Sequence, residues 1–154
     1  MVSAYDELPR TPANFVALSP LRYLDRAAYI YPNQDAIIHG KRRISWRETY
    51  NRCRQFANQL QNLGIGKNDT VSVLLPNVPA MIEAHFAVPM AGAVLNTLNT
   101  RLDAKTLAFM LEHAETKVLL VDPEFTALAT GALALIKQDI YVIDVADEEY
   151  ENTS

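Results

Sequence analysis

Arg101 is the residue of this sequence whose type and position are best suited to contact a ligand. It follows the run Asn-Thr-Leu-Asn-Thr of residues 96–100, at the end of an apolar stretch that is typical of a β-strand. Ligands of open α/β sheets gather beyond the carboxyl ends of the strands, which is where this arginine lies. The commoner role of such a residue, on the surface or in pinning a loop, is the alternative.

Three histidines and one cysteine are the other side chains that could act in catalysis or bind metal. His39, His85 and His113 lie in different elements and have none of the short spacings of metal sites. We expect structural roles for all three, with His113 in the last turn of a helix, where the dipole favours a cation. Cys53 shares the apolar face of its helix, so we expect packing rather than nucleophilic chemistry. The chain is thus expected to hold no catalytic and no metal-binding residue.

A phosphate-binding loop is not apparent. A dinucleotide fold needs glycine-rich backbone directly after its first strand, but here the turn is Pro76-Asn77-Val78-Pro79. The five glycines, at positions 40, 64, 66, 92 and 131, are scattered. The residues of this turn therefore argue against a dehydrogenase-like nucleotide-binding domain. Asp122 lies at the end of a later strand, and we expect it to cap the next helix.

Four short apolar runs set the fold. Their starts are 23, 24 and 23 residues apart, and each interval holds a helical pattern. Strands that are apolar on both faces and joined by helices indicate a mainly parallel sheet covered on both sides, so the fold class is α/β. The runs are Val71 to Leu75, Val94 to Leu98, Val118 to Val121 and Tyr141 to Val145, and the helical patterns are Pro79 to Ala91, Ala104 to Ala114 and Glu124 to Lys137.

The sequence pattern of the first part of the chain predicts an arm, two helices and a small hairpin. Residues 1–18 have no sustained period and are interpreted as an extended arm. Ser19-Pro20 opens a helix that Pro32 stops, and Gly40-Lys41 separates two β-prone stretches at hairpin-like spacing. A capping box at Ser45 to Glu48 starts a second helix that ends near Gly64. We predict an α/β unit over 19–146 and an acidic, frayed tail over 147–154.

Charge and composition exclude several classes of function. The 154 residues carry a net charge of −4, which gives no general attraction to nucleic acid. No apolar run approaches the ~20 residues of a membrane span. The single cysteine fits a reducing compartment, and no signal peptide is apparent at the N-terminus, so we expect a cytoplasmic protein.

An ordered set of sequence blocks resembles the N-terminal part of the AMP-forming acyl-CoA synthetases, within the acyl-activating branch of the adenylate-forming superfamily. The likeness covers nearly the whole chain. The blocks are Ile44-Ser45-Trp46-Arg47-Glu48-Thr49, Val71-Ser72-Val73-Leu74-Leu75-Pro76-Asn77, Glu83-Ala84-His85-Phe86-Ala87, Met90 to Thr100, Leu98-Asn99-Thr100-Arg101-Leu102 and Lys117-Val118-Leu119-Leu120-Val121-Asp122.

The resemblance implies a two-step ligase of fatty acid metabolism. A short- or medium-chain carboxylic acid reacts with Mg-ATP to give an acyl-adenylate, and coenzyme A then displaces AMP. The family's Ser/Thr/Gly-rich phosphate loop and lid lysine do not occur in this sequence, so we expect no catalysis by the chain alone. Its partner would be the remainder of the synthetase, and exposed apolar surfaces would favour self-association.

The resemblance also implies a role for Arg101. In relatives an arginine at this place can lie near the nucleotide phosphate of coenzyme A, although Thr100 replaces a proline here. A different class of function stays open, namely a stand-alone α/β binding or interaction module without catalysis.

Overall fold

The computed structural model describes Pro9 and residues 11–146. The acidic tail predicted over 147–154 lies outside these residues, and the arm of residues 1–18 lies only partly within them, so both boundaries stay predictions. The elements are α1 (Pro20–Ile30), β1 (Asp35–His39), β2 (Arg42–Ser45), α2 (Trp46–Asn62), β3 (Thr70–Leu74), α3 (Pro79–Met90), β4 (Val94–Thr97), α4 (Ala104–His113), β5 (Thr116–Val121), a 3₁₀ turn (Pro123–Phe125), α5 (Thr126–Leu133) and β6 (Tyr141–Asp144).

The main sheet has four strands in the order β4-β3-β5-β6, and every neighbouring pair is parallel. Register is set by pairs such as Val71 with Val118 and Val118 with Tyr141. The chain leaves β3 toward β4 and then returns to β5 on the other side of β3. The strand order therefore reverses between β3 and β5, and both of these central strands are almost entirely buried.

Helices cover both faces of the sheet, which confirms the predicted α/β class. On one face Val71, Val73 and Leu120 pack with α1, α2 and α3. On the other face Leu74 and Leu119 pack with α4 and α5. Because successive strand residues point to opposite faces, apolar residues at every position of a strand are buried only when both faces are covered.

Local chemistry sets the helix starts and the hairpin as predicted. Ser19 caps α1, and the Ser45 hydroxyl accepts a hydrogen bond from the Glu48 amide at 3.2 Å at the start of α2. Gly64 follows α2 with φ of +80°, a conformation that costs residues with a Cβ. The strands β1 and β2 pair antiparallel, with His39 opposite Arg42.

The helical prediction over 124–137 was too long. The segment begins as a 3₁₀ turn, and α5 ends at Leu133. Beyond it the amides of Leu135 and Ile136 bond three residues back, to Ala132 and Leu133, so the last turns tighten instead of continuing as α-helix. Pro89 lies inside the last turn of α3, which ends one residue later at Met90, next to the predicted end at Ala91.

Candidate functional site

Arg101 lies in the turn that follows β4, at the carboxyl edge of the sheet. The Asn99 side chain accepts a hydrogen bond from the Arg101 amide at 2.9 Å, which fixes the turn. The arginine is exposed, and its guanidinium has no hydrogen-bond or ion-pair partner among the residues that the structure describes. It thus presents a fixed backbone and a free positive charge. The contacts of His85, His113 and Cys53 within the described residues are made with Met81, Phe109 and Glu83, so none of these three side chains is brought to Arg101.

Backbone hydrogen bonds join β3 and β5 at the point where the strand order reverses. The Asp122 amide donates to the Leu74 carbonyl oxygen at 3.1 Å, which joins the ends of β5 and β3. Asp122 is buried, and its carboxylate accepts from the Glu124 amide at 3.0 Å. The capping role predicted for Asp122 is therefore confirmed.

The turn between β3 and α3 does not fit nucleotide phosphates. Pro76 and Pro79 have no amide hydrogen to donate, and the amide of Val78 bonds to the Pro76 carbonyl oxygen at 2.9 Å. A phosphate cradle needs several free amides that point at one anion. This turn is therefore poorly suited to bind the phosphates of ATP.

A charged pair joins α2 to α3 and was not found from the sequence. Arg52 Nε lies 2.5 Å from Glu83 Oε1, and Arg52 Nη2 lies 3.1 Å from Glu83 Oε2. The Glu83 side chain is 7% exposed and that of Arg52 is 38% exposed. The hydrogen bond to Glu83 raises the pKa of Arg52 above its ordinary value. The signal in the sequence was the single carboxylate of α3, whose other residues are apolar except for His85.

This pair forms one wall of a cleft of about 310 Å³ between α2, α3 and the β6 edge of the sheet. The floor is apolar, whereas two glutamines of α2 add amide groups to the wall. The cleft therefore has an ion pair in its wall and an apolar floor. Its lining residues are Arg52, Gln55, Phe56, Gln59, Ala80, Glu83, Leu120, Ile143 and Val145.

A second cleft of about 240 Å³ shares Arg52 with the first and continues toward the hairpin. We call it the arginine cleft. Its lining residues are Arg42, Arg52, Val78, Pro79, Ala80, Val145 and Ala146. Among the described residues that line it, the charged side chains are those of Arg42 and Arg52, and Arg52 is paired with Glu83.

Cys53 is fully buried, as predicted for a packing residue. Its thiol donates to the Glu83 carbonyl oxygen at 3.7 Å, and burial raises the pKa of the thiol to about 12. A thiol that stays protonated near neutral pH is a poor nucleophile.

Two of the histidines make local contacts. His85 Nδ1 lies 2.7 Å from the carbonyl oxygen of Met81, one turn earlier in α3. The His113 ring stacks on Phe109, with centroids 5.5 Å apart, in the last turn of α4. Within the described residues, His, Cys, Asp and Glu form no group of three or more suited to a metal ion.

The sheet order, the helices on both faces and the signature blocks agree with a match over residues 24–153 to a family model described as AMP-binding enzyme. The chain belongs to this family. It is 51% identical over 133 residues to the peroxisomal acetate/butyrate–CoA ligase of Arabidopsis thaliana, covering 86% of this chain and 23% of that protein. It is 53% identical over 137 residues to the peroxisomal trans-cinnamate:CoA ligase of Petunia hybrida, covering 89% of this chain and 24% of that protein.

A solved member of the AMP-binding enzymes has the same fold. The o-succinylbenzoate coenzyme A synthetase of Bacillus subtilis, in complex with AMP, superposes with a TM-score of 0.69 at 26% identity, over 79% of this chain and 30% of that one. The resemblance to acyl-CoA synthetases is therefore confirmed. The chain spans about a quarter of the length of its curated relatives.

The cytoplasmic expectation is wrong, because both curated relatives are named as peroxisomal. Composition and a single cysteine do not separate the cytosol from the peroxisome, since peroxisomal import depends on a short signal that a receptor reads. None of the helices in the described part of this AMP-binding enzyme is long and apolar enough to cross a membrane.

Proposed function

We propose that this chain is the N-terminal portion of an AMP-forming acyl-CoA ligase and is inactive by itself. The parent reaction joins a carboxylic acid to coenzyme A through an acyl-adenylate, with release of AMP and pyrophosphate. The observation that carries the proposal is the 51% identity over 133 residues with a CoA ligase, within a chain that spans only 23% of that protein.

The proposed substrate is a short- or medium-chain carboxylic acid. One relative is named for acetate and butyrate and another for trans-cinnamate, and all three compounds are carboxylic acids. This range of acyl groups supports a reaction at the carboxylate that all three compounds share. A role in fatty acid metabolism is a further part of the proposal. ATP and coenzyme A are the proposed co-substrates, with Mg²⁺ to neutralise charge on the ATP phosphates when bound.

The proposed role of the described residues is that of a scaffold. Asp122 and Glu83 already have structural partners, because Asp122 caps a turn and Glu83 pairs with Arg52. The turn between β3 and α3 is poorly suited to phosphate, as its two prolines show. Both facts support an adenylation centre built by another part of the ligase.

Arg101 is the proposed point of contact with coenzyme A. Its guanidinium is exposed at the carboxyl edge of the sheet, and its backbone is held by Asn99. A planar cation with several N–H donors is well suited to bind a phosphate group. We propose that this side chain pairs with the nucleotide phosphate of coenzyme A in the complete ligase.

A chimeric ligase tests the proposal. The matching region of the Arabidopsis acetate/butyrate–CoA ligase is replaced by this chain, and formation of butyryl-CoA is measured against the unaltered ligase and a variant that lacks the region. We expect a soluble chimera that forms the thioester. A chimera that is folded by circular dichroism and binds ATP, yet forms neither acyl-adenylate nor thioester, would contradict the proposal.

A further inference from the structure

The helix α4 buries one face against the sheet and exposes the other. Leu107 and Leu111 are fully buried, whereas Phe109 on the outer face is 65% exposed. Leu135, just beyond α5, is also an exposed apolar side chain, at 61%. A cleft of about 400 Å³ lies between α4 and the segment that follows α5. We call this surface the α4 patch, and its lining residues are Lys105, Ala108, Phe109, Glu112 and Leu135.

Two side chains of opposite charge flank the apolar centre of the α4 patch. Lys105 lies about one turn before Phe109 and Glu112 about one turn after it, so all three lie on the same side of the helix. Both charged side chains are exposed, and neither forms an ion pair with another residue that the structure describes. Seven residues of helix, about 10 Å, separate the two, so they do not pair with each other.

This order of charges is complementary to its own reverse. A two-fold axis between positions 108 and 109 relates two antiparallel copies of α4, and positions 105 and 112 are equally far from that axis. Lys105 of each copy therefore lies opposite Glu112 of the other. The same axis brings Phe109 to Ala108 of the other copy, where a small side chain in the cleft leaves room for an aromatic ring. A parallel pair would place like charges opposite each other.

We propose that the α4 patch binds a second copy of this chain, in a symmetric dimer whose α4 helices are antiparallel. Two interchain ion pairs between Lys105 and Glu112 fix the direction of the helices, and Phe109 and Leu135 contribute buried apolar area. The dimer is weak, because stable interfaces have about 20–30 residues on each side and the patch is much smaller. The pairing is independent of the scaffold role in a ligase, since it needs only α4 and the segment after α5.

Sedimentation equilibrium of the 154-residue protein tests the proposal. Concentrations from about 20 μM to about 1 mM cover the dissociation constants of weak dimers. We expect the average mass to rise with concentration from the 17.2 kDa of the monomer toward that of a dimer. Phe109→Ser should weaken association about tenfold, because an aromatic side chain at the centre of an interface contributes much of the binding energy.

Charge reversal tests the direction of the helices. Lys105→Glu or Glu112→Lys alone places like charges opposite each other in both ion pairs, so each should weaken association about fivefold. An equimolar mixture of these two variants should restore association, because each reversed charge then faces an opposite charge in the other copy. Lys41→Glu, in the turn between β1 and β2, is the matched control and should leave the association of the protein unchanged.

The substituted side chains are exposed, so circular dichroism should show that each variant keeps the wild-type fold. Wild-type protein that stays monomeric at the highest concentration overturns the proposal, and the α4 patch is then left for another part of a ligase. Association that Phe109→Ser does not weaken would place the interface elsewhere and also overturns it. A mixture of Lys105→Glu and Glu112→Lys that associates no better than either variant alone contradicts the antiparallel pairing.

Discussion

Arg52 on α2 holds both carboxylate oxygens of Glu83 on α3, with nitrogen–oxygen distances of 2.5 and 3.1 Å. The contact joins residues 31 positions apart and crosses the interface of two helices that cover one face of the sheet. Glu83 is the more buried partner, with 7% of its side chain exposed against 38% for Arg52. The buried carboxylate therefore depends on the arginine more than the arginine depends on it.

The pair should respond unequally to removal of either partner. Arg52→Gln leaves a buried carboxylate without its cation and should lower the free energy of unfolding by about 2–3 kcal/mol, whereas Glu83→Gln should cost about 1 kcal/mol because Arg52 is partly solvated. Urea unfolding measures the free energy of unfolding of both variants. Arg47→Gln is the surface control and should stay within about 0.5 kcal/mol of wild type. Equal costs for the two variants would show that burial does not govern this pair.

Cys53 should make the protein less stable in alkali. Burial raises the pKa of the folded thiol from 9.0 to about 12, so between these values the folded state binds more protons than the unfolded state. Stability is then fully present below pH 9 and falls as the pH rises toward 12, by at most about 1.4 kcal/mol for each pH unit from this group. Urea unfolding across this range should show a weaker fall for Cys53→Ala than for wild type. Parallel pH profiles would rule out the linkage.

The same burial should protect the thiol from reagents. At pH 8 we expect Cys53 in the folded protein to react with a disulfide reagent far more slowly than in urea, because reaction requires the exposed thiolate. Absorbance of the released thiol measures the rate. A folded-state rate equal to that in urea would contradict the buried position.

A buried polar row crosses the sheet at Ser72. Its hydroxyl lies 2.7 Å from the Thr116 hydroxyl and accepts from Asn96 Nδ2 at 3.0 Å. Ser72→Ala leaves both partners short of a bond and should cost about 1–3 kcal/mol in urea unfolding. Thr116→Val should lower the free energy of unfolding less in the Ser72→Ala background than in wild type, because the Ser72 hydroxyl that pairs with Thr116 is already absent. Strictly additive costs would mean that the three groups are not coupled.

Arg101 should matter for coenzyme A in an active ligase that contains this region. In the chimera, Arg101→Gln should raise the KM for coenzyme A about fivefold, the upper range for an exposed ion pair, with little change in the KM for ATP or in kcat. Lys105→Gln, an exposed charge on α4, is the matched control. An unchanged KM for coenzyme A would remove Arg101 from the binding site.

The order and type of elements could be predicted because local patterns encode them. The starts at Ser19 and Ser45 follow from hydroxyl capping, and the strand cores around Val71 and Val118 follow from apolar runs between helical patterns. The end of α5 was missed, since the tightening after Leu133 leaves no strong stop signal in an alanine- and leucine-rich stretch.

The candidate site was less predictable, because it depends on contacts between distant residues. The sequence pattern predicted that Arg101 follows a strand end, where the structure has it, but only the resemblance to acyl-CoA synthetases indicated a ligand. The pairing of Arg52 with Glu83 depends on how α2 packs on α3, and the charge of the arginine cleft depends on where the hairpin lies. These relations arise only once the helices and the sheet are assembled.

The scaffold role is tested most directly by pyrophosphate release. The purified 154-residue chain is incubated with ATP, Mg²⁺, coenzyme A and butyrate, alongside the Arabidopsis ligase as a positive control, and pyrophosphate is measured over time. We expect release by the ligase and none above a protein-free blank by this chain. Release by this chain that depends on butyrate would contradict the account, because the described residues would then include a working adenylation centre.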